Sequence, residues 1–452
     1  MTFADFILQH EGEDPVRLLL SRDRFPDVDM DLAVSTLEVR RRLRTKVPQW
    51  YAVPSLVYPN RLCGEQCSSS GTAFYKARIA AGLGGGLSVR NRLRSAQAPP
   101  VFDGSLPLTR PRVATDSGQR ASAPDPQNLR IADLTGGLGV DSWAFSQVAE
   151  EVLYNEMQPE LAQAAEHNFR ELGIDNVRVR NLRVEPGNVA RVLDGFRPDV
   201  IFLDPSRRAE DGRKVFLIEE CQPDVPGLLP ELFEASRFVL LKLSPMADIT
   251  MVCKRLPHVR EVHCVAADGE CKELLLLLDR EWEGACTTFV VEDDAVMEVP
   301  AASGSDGEER AENDRTGQDR SGEIFLFEPG KALLKAGAFR LPCTRFALTK
   351  LGEHTHLYVG TEIPAELRPF GKVFEILEVL PLNNRTLKET GRRYPRAEVT
   401  ARNIPMTSEL LRKKTGCTSG GAIHLFGVRI DAPSIEAVPG SGNYLIVTVT
   451  SR

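Results

Sequence analysis

Between residues 129 and 280 short apolar runs alternate with amphipathic ones, and this alternation constrains the fold more than any other feature of the chain. "LRIADLT", "EVLYNEM", "NVRVRN", "PDVIFLDP" and "RFVLLKLSP" read as buried strands. Between them "VDSWAFSQVAE", "PELAQAAEHNFRELG", "GNVARVLDGF" and "LLPELFEAS" carry helical spacing. Strands joined through helices must run parallel, with helices on both faces of the sheet. "DITMVCKRLP" adds a further helix, and "REVHCVAADGECKELLLLLDR" reads as a hairpin that brings in an antiparallel strand. The fold class that follows is α/β, with a Rossmann-like sheet of seven strands.

In an open sheet of this kind a ligand sits beyond the carboxyl ends of the strands, where the strand order reverses. The first strand ends at Asp133-Leu134-Thr135, and Gly136, Gly137 and Gly139 follow before a helix opens at Val140-Asp141. Such a turn allows a ligand close to the backbone. The second strand ends at Glu156-Met157, where a carboxylate can accept both hydroxyls of a ribose. A dinucleotide asks for a third glycine, which is Ser142 here, and an acid at Asp133 would repel its pyrophosphate. The same acid suits the ammonium of an amino-acid tail. S-Adenosylmethionine fits Asp133, the glycine turn and Glu156 together.

The fourth strand ends in Asp204-Pro205, beside the first strand in this layout, followed by Arg207 and Arg208. Asp204 can orient the group to be methylated, and the arginines can fork onto phosphate. The fifth strand ends in "LLKLSP", which leaves Lys242 either reaching out to water or pointing into the site. Methylation at C5 of a pyrimidine needs a thiolate. Cys221 and Cys253 fall in helical regions, and no cysteine follows Asp204-Pro205 or Lys242, so direct transfer to nitrogen or oxygen is the expectation. Glu273, in the apolar run "CKELLLLLD", reads as a structural strand residue.

Outside this core, residues 1–95 read as helical, with the cap of "SSSGTAFYKARIAAGLG" at Ser69 or Ser70 and its stop near Gly82. Residues 96–128 read as a linker, and the polar, charged stretch 301–320 as disordered. The remainder to Arg452 reads as a separate α+β domain. The formal net charge is −7, so a nucleic-acid surface has to be a local patch. From Gly391 to Ile430 eight basic residues, among them Arg402, Arg412, Lys413 and Lys414, stand against two acidic ones. Lysine and arginine at a helix C-terminus also complement its dipole, so part of this run needs no ligand. Nine cysteines at irregular spacing argue for a reducing compartment rather than a disulfide framework. Cys63 and Cys67 form at most half of a zinc site, and His354 and His356 alternate as on a strand, so no metal is expected. No secretory leader or membrane span is expected, which points to the cytoplasm.

"DLTGGLGVD", "YNEMQPELAQAAEHNF", "DPSRR", "KLSPMADI", "ECKELL", "RLCGEQCSSSGTAFYKA" and "RNIPMTSELLRKKTGCTSGGAIHLFG" resemble the class I S-adenosylmethionine-dependent methyltransferase family that carries a THUMP-like C-terminal domain, a Bacteroidetes-type group of RNA methyltransferases. The resemblance implies an N-terminal helical domain over 1–95, a methyltransferase domain over 129–280, a small ferredoxin-like insert over 281–325 and a THUMP-like domain over 326–452. It implies S-adenosylmethionine held by Asp133, Thr135, Gly136, Gly137, Gly139, Asp141, Glu156, Met157, Asn181 and Asp204. It places Asp204, Pro205 and Lys242 at the reaction, and an RNA, tRNA or rRNA, on Arg207, Arg208, Arg402, Arg412, Lys413 and Lys414. Two departures stand out. Asp-Pro-Ser-Arg replaces the Asn/Asp-Pro-Pro-Tyr/Phe motif, so no aromatic there stacks a flipped base. Asn181 or Arg183 stands where an acid beside adenine is usual. A methyltransferase for a small molecule or protein, a non-catalytic RNA-binding protein with a relic cleft and, more distantly, a dehydrogenase are the competing readings.

Overall fold

The computed structural model describes residues 1–84, 128–206, 221–300, 323–431 and 441–451. They form two compact units, Met1–Ala267 with Lys272–Thr287, and Asp268–Cys271 with Thr288–Arg452. Residues 96–127, the stretch 301–320, and Arg207 and Arg208 lie outside the described residues.

The first unit holds β1 (Arg130–Asp133), β2 (Glu151–Asn155), β3 (Val177–Arg180), β4 (Val200–Leu203), β5 (Phe238–Leu243), β6 (Val259–Ala267) and β7 (Glu270–Asp279). They lie in the order β3-β2-β1-β4-β5-β7-β6. β1 to β5 pair in parallel and β7 runs antiparallel to β5, as the alternation predicts. The order reverses between β1 and β4, so the crevice beyond their carboxyl ends is the switch point. All four residues of β4 and Leu274–Leu278 of β7 are buried, because helices on both faces leave these strands no side toward water. The helix Pro159–Glu171 starts with proline in its first turn, where no amide hydrogen bond is lost, and ends before Gly173 at φ +67°.

The N-terminal helices, Phe3–His10, Pro15–Leu20, Met30–Lys46, Pro48–Tyr51, Arg61–Gln66 and Ser70–Gly84, belong to the same unit as the sheet. The last runs two residues past the stop read at Gly82, to Gly84. Side chains tie them down. The Asn168 amide donates to the Val57 carbonyl at 2.9 Å and accepts from the Val57 amide at 2.9 Å, a pairing that imitates a strand. Phe74 and Trp50 meet Trp143 edge-on, with centroids 5.0 and 6.1 Å apart. Helix Val140–Ser146 is buried at every residue, with the N-terminal helices packed over it.

In the second unit β8 (Thr287–Glu292) and β9 (Ala295–Val299) form a hairpin. β10 (Phe325–Pro329), β11 (Thr349–Lys350), β12 (Tyr358–Gly360), β13 (Gly371–Pro381), β14 (Glu398–Arg402), β15 (Ile423–Ile430) and β16 (Gly442–Thr450) form a sheet in the order β11-β12-β10-β13-β16-β15-β14. Alternate residues of β15 and β16 serve two cores. Phe426 and Ile446 pack with Leu326 and Phe374 on one face. Leu425, Leu445 and Val447 pack under Leu387 and Leu411, of helices Asn384–Arg393 and Ser408–Thr415, on the other. His354 and His356 do not alternate on a strand. They lie in and after a turn that the Thr355 hydroxyl holds by donating to the Arg429 carbonyl at 2.6 Å, and His356 sits at φ +49°.

Candidate active site

The glycine turn is shaped from within as much as from the ligand side. A Cβ at Gly136 would overlap the Tyr154 ring, and one at Gly139 (φ +93°) would lie 2.9 Å from Phe169 Cζ. Gly137, at φ +53°, is different. A Cβ there would meet nothing nearer than the Thr135 carbonyl at 4.0 Å. Gly137 is therefore the position whose bare backbone faces open space. Its carbonyl accepts from the Tyr154 hydroxyl at 2.6 Å, and its amide donates to Glu156 Oε2 at 2.9 Å.

The two carboxylates expected at this turn stand in different surroundings. Asp133 is 1% exposed, accepting from the Thr135 amide at 3.1 Å and the Ser142 hydroxyl at 2.7 Å. Burial pushes its carboxyl up to about 7, opposed by the Ser142 hydrogen bond and reinforced by the nearby Asp141. At 1% exposure Asp133 presents almost no surface to a ligand ammonium, and its two oxygens hold the turn together. Glu156, just past β2, accepts from Gly137 and, at 2.9 Å, from the Gln158 amide. Each of its oxygens keeps a further lone pair. Met157 follows, 48% exposed, and the exposed Asn181 donates to the Glu156 carbonyl at 2.6 Å.

The tips of β1, β4 and β5 are joined by side chains. The Asp204 amide donates to the Thr135 hydroxyl at 2.6 Å, and Pro205 behind it is buried. Lys242 points into the site and donates to Asp204 Oδ2 at 2.5 Å. Burial alone would lower its pKa. The carboxylates of Asp204, Glu273 and Asp141 outweigh that and hold it above the usual lysine range. Lys242 is thus a fixed cation and not a base.

Three residues absent from the expected site complete this arrangement. Ser68 Oγ donates to Asp141 Oδ2 at 2.8 Å, and accepts from Lys76 Nζ at 3.0 Å and from Lys242 Nζ at 3.5 Å. Lys76, fully buried on helix Ser70–Gly84, binds both oxygens of Glu273 at 2.8 and 3.0 Å and lies 3.2 Å from Asp141 Oδ1. Asp141 thus joins the network with Ser68 and Lys76. One sequence signal could have found Lys76: it is the lone charge within "TAFYKA", a run otherwise suited to a buried helix face. Cys67 is also near, beside Lys46 and Lys242. Burial pushes its thiol up despite those two cations, so it remains a thiol. Cys63 is pushed up to about 12, by burial first and then by the Glu156 carboxylate.

In the second unit the basic run is partly neutralised. Arg402 pairs with Glu328 at 2.7 Å, Lys413 with Glu409 at 3.0 Å, and Arg393 with Glu378. Arg412, Lys413 and Lys414 are exposed in the last turn of helix Ser408–Thr415. Gly391 abuts the backbone of Thr415, which places Arg392 and Arg393, at the end of helix Asn384–Arg393, beside them. Two helix C-termini and five basic residues therefore meet at one corner.

Comparison with known proteins agrees with these units. Residues 325–367 match the family described as a ferredoxin-like domain, and residues 371–435 the family described as THUMP domain-like. The ferredoxin-like match begins at residue 325, where the span 281–325 expected for that insert ends. Over its whole length the chain is similar to a crystal structure titled "putative methyltransferase" from Porphyromonas gingivalis W83, with 26% identity, a TM-score of 0.72, and coverage of 100% of this chain and 98% of that one. Over 130 residues it is 28% identical to an uncharacterized RNA methyltransferase of Listeria innocua; the match takes in 28% of this chain and 25% of that relative, so the chain spans about a quarter of the relative's length. The chain therefore has the fold of that Porphyromonas structure, and its C-terminal part carries a ferredoxin-like domain followed by a THUMP-like domain.

Proposed function

We propose that the chain transfers a methyl group from S-adenosylmethionine to a nitrogen or oxygen of an RNA base or ribose, without a cysteine nucleophile. The observation that carries this reading is the grouping, at the switch point of one sheet, of Glu156 above the open Gly137 and of Asp204 fastened to Thr135 and Lys242.

The residues present fit the methyl donor. Gly137 leaves room at its bare backbone, and the remaining lone pairs of Glu156 suit a pair of ribose hydroxyls. Thr135, Gly136, Gly139, Asp133 and Asp141 would hold the turn in shape, while Met157 and Asn181 would flank the adenine. When bound, the donor supplies an electrophilic methyl group. Asp204 has one oxygen bonded to Lys242, and the other has no partner among the described residues. That oxygen would accept a hydrogen bond from an N–H or O–H of the acceptor, fix its lone pair toward the methyl, and take up the proton that leaves. Lys242, always charged, would offset the negative charge Asp204 brings into the crevice. Positioning two bound reactants in this way supplies most of the acceleration such a transfer needs.

The THUMP-like match and the basic corner around Arg392, Arg412, Lys413 and Lys414 support a polyanionic substrate. The relative from Listeria innocua is named an RNA methyltransferase. The reading is tested by mass spectrometry of nucleosides from total RNA of cells with and without the gene. One methylated nucleoside should vanish with the gene and return on complementation with the wild-type chain but not with Asp204→Asn. An unchanged set of methylated nucleosides would refute the RNA assignment.

A further inference from the structure

We propose that Ser68 and Lys76, contributed by the N-terminal helical segment, are positioning residues of the site: they steer the Lys242 ammonium onto Asp204 and away from two competing carboxylates. The inference rests on the methyl-transfer reading above.

Asp204, Asp141 and Glu273 surround two ammoniums, those of Lys242 and Lys76. Lys242 therefore has three carboxylates within electrostatic reach. Glu273 is the most buried of the three (2% exposed), Asp141 is 9% exposed, and Asp204 lies at the partly open tip of β4. A free choice would favour the most buried partner, because an unpaired charge there is the most costly. Lys242 nevertheless stays on Asp204. Lys76 explains this. It occupies both oxygens of Glu273 and stands against Asp141 Oδ1, which leaves Asp204 as the carboxylate lacking a cation.

Ser68 makes the separation directional. Its single proton goes to Asp141 Oδ2, and its two lone pairs face Lys76 and Lys242. The hydroxyl is thereby saturated, so it serves neither as nucleophile nor as base. It is a neutral spacer between two like charges that gives each a hydrogen-bond acceptor. Without it, Asp141 Oδ2 would stand open to Lys242. A four-carbon lysine stem is flexible enough to re-pair.

The test uses the full chain and two readouts. One is the Nζ resonance of Lys242 in protein labelled with ¹⁵N-lysine, assigned by its absence in Lys242→Met. The other is turnover of tritiated S-adenosylmethionine on total RNA from cells lacking the gene. In Ser68→Ala and Lys76→Met the Lys242 resonance should move and kcat should fall at least tenfold. The affinity for S-adenosylmethionine should stay within twofold. Ser68→Thr, which keeps the hydroxyl, should recover both readings relative to Ser68→Ala. An unmoved resonance with unchanged kcat in Ser68→Ala, or a Ser68→Thr variant as impaired as Ser68→Ala, would overturn the proposal. If Lys76→Met does not fold, the Ser68 pair decides alone. The resonance is read without cofactor or RNA, so failure of the methyl-transfer reading, seen as no S-adenosylmethionine binding by the wild-type chain, is distinguishable from failure of this one.

Discussion

The Lys242 ammonium donates to Asp204 Oδ2 at 2.5 Å, bridging the tips of β5 and β4. Three carboxylates, Asp204 foremost, hold its proton above the usual lysine range, against the pull of burial. A raised lysine pKa gives stability that is complete below the unfolded value, about 10.4, and lost only as pH rises through the still higher folded value. The difference in unfolding free energy between wild type and Lys242→Met should therefore stay constant from pH 6 to pH 9. A difference that shrinks across that window would show Lys242 losing its proton. Methyl transfer by Lys242→Met should fall about 100-fold, in the range found when one preorganised hydrogen-bond donor is removed from a site.

Asp133 makes the opposite kind of prediction. Burial raises its carboxyl to about 7, so the native state holds a proton that the unfolded chain releases near pH 4. Its favourable contribution is complete below pH 4 and lost as pH rises through 7. Asp133→Asn needs no such proton. Thermal melts should show the variant gaining on the wild type between pH 5 and pH 8, by up to about 3 kcal/mol, for the two pKa units that separate pH 5 from about 7. A gap independent of pH would mean that Asp133 is charged throughout.

The glycines of the turn should separate by experiment. Gly136→Ala drives a methyl into the Tyr154 ring, which is buried between Gly137 and Phe169, so the neighbour has no room to yield. It should lower stability by several kcal/mol, beyond the usual ~1–3 kcal/mol of overpacking. Gly137→Ala meets open space and carries only the left-handed backbone strain, about 1–2 kcal/mol. Equal melting temperatures for the two variants would contradict this account.

At the corner where two helices end, Arg412 and Lys414 have no ion pair among the described residues, and Lys413 has an exposed partner of little worth. Replacing Arg412 and Lys414 by alanine should weaken RNA binding and reduce the slope of log K against log salt by about 1.4, since each lost phosphate contact on a single strand removes about 0.7. Arg402→Ala should change that slope less, because Arg402 is already paired with Glu328. Filter binding at several salt concentrations measures both.

Much of the sheet was legible because its periodicity is local. Each strand and helix announces itself within about ten residues, and β1 beside β4 follows from the handedness of the crossovers. Glu156, Asp204 and Lys242 follow in turn, as residues at strand tips. Ser68, Lys76 and Glu273 were not legible as a group. Lys76 and Glu273 are 197 residues apart, and their meeting depends on how the N-terminal helices pack over helix Val140–Ser146. The burial of Asp133 was hidden for a related reason. The sequence places an acid at the turn, but only the Ser142 hydroxyl and the Thr135 amide, folded back upon it, show that it faces inward.

The central claim is that the crevice beyond β1 and β2 holds the methyl donor through Glu156. Isothermal calorimetry of S-adenosylmethionine with the full chain and with Glu156→Gln tests it most directly. Wild type should bind one equivalent. The variant, which loses hydrogen bonds to a charged group worth about 1.5–3 kcal/mol, should bind 10- to 100-fold more weakly while melting within a few degrees of wild type. No heat of binding to the wild-type chain, or equal affinity in a folded Glu156→Gln variant, would contradict the account.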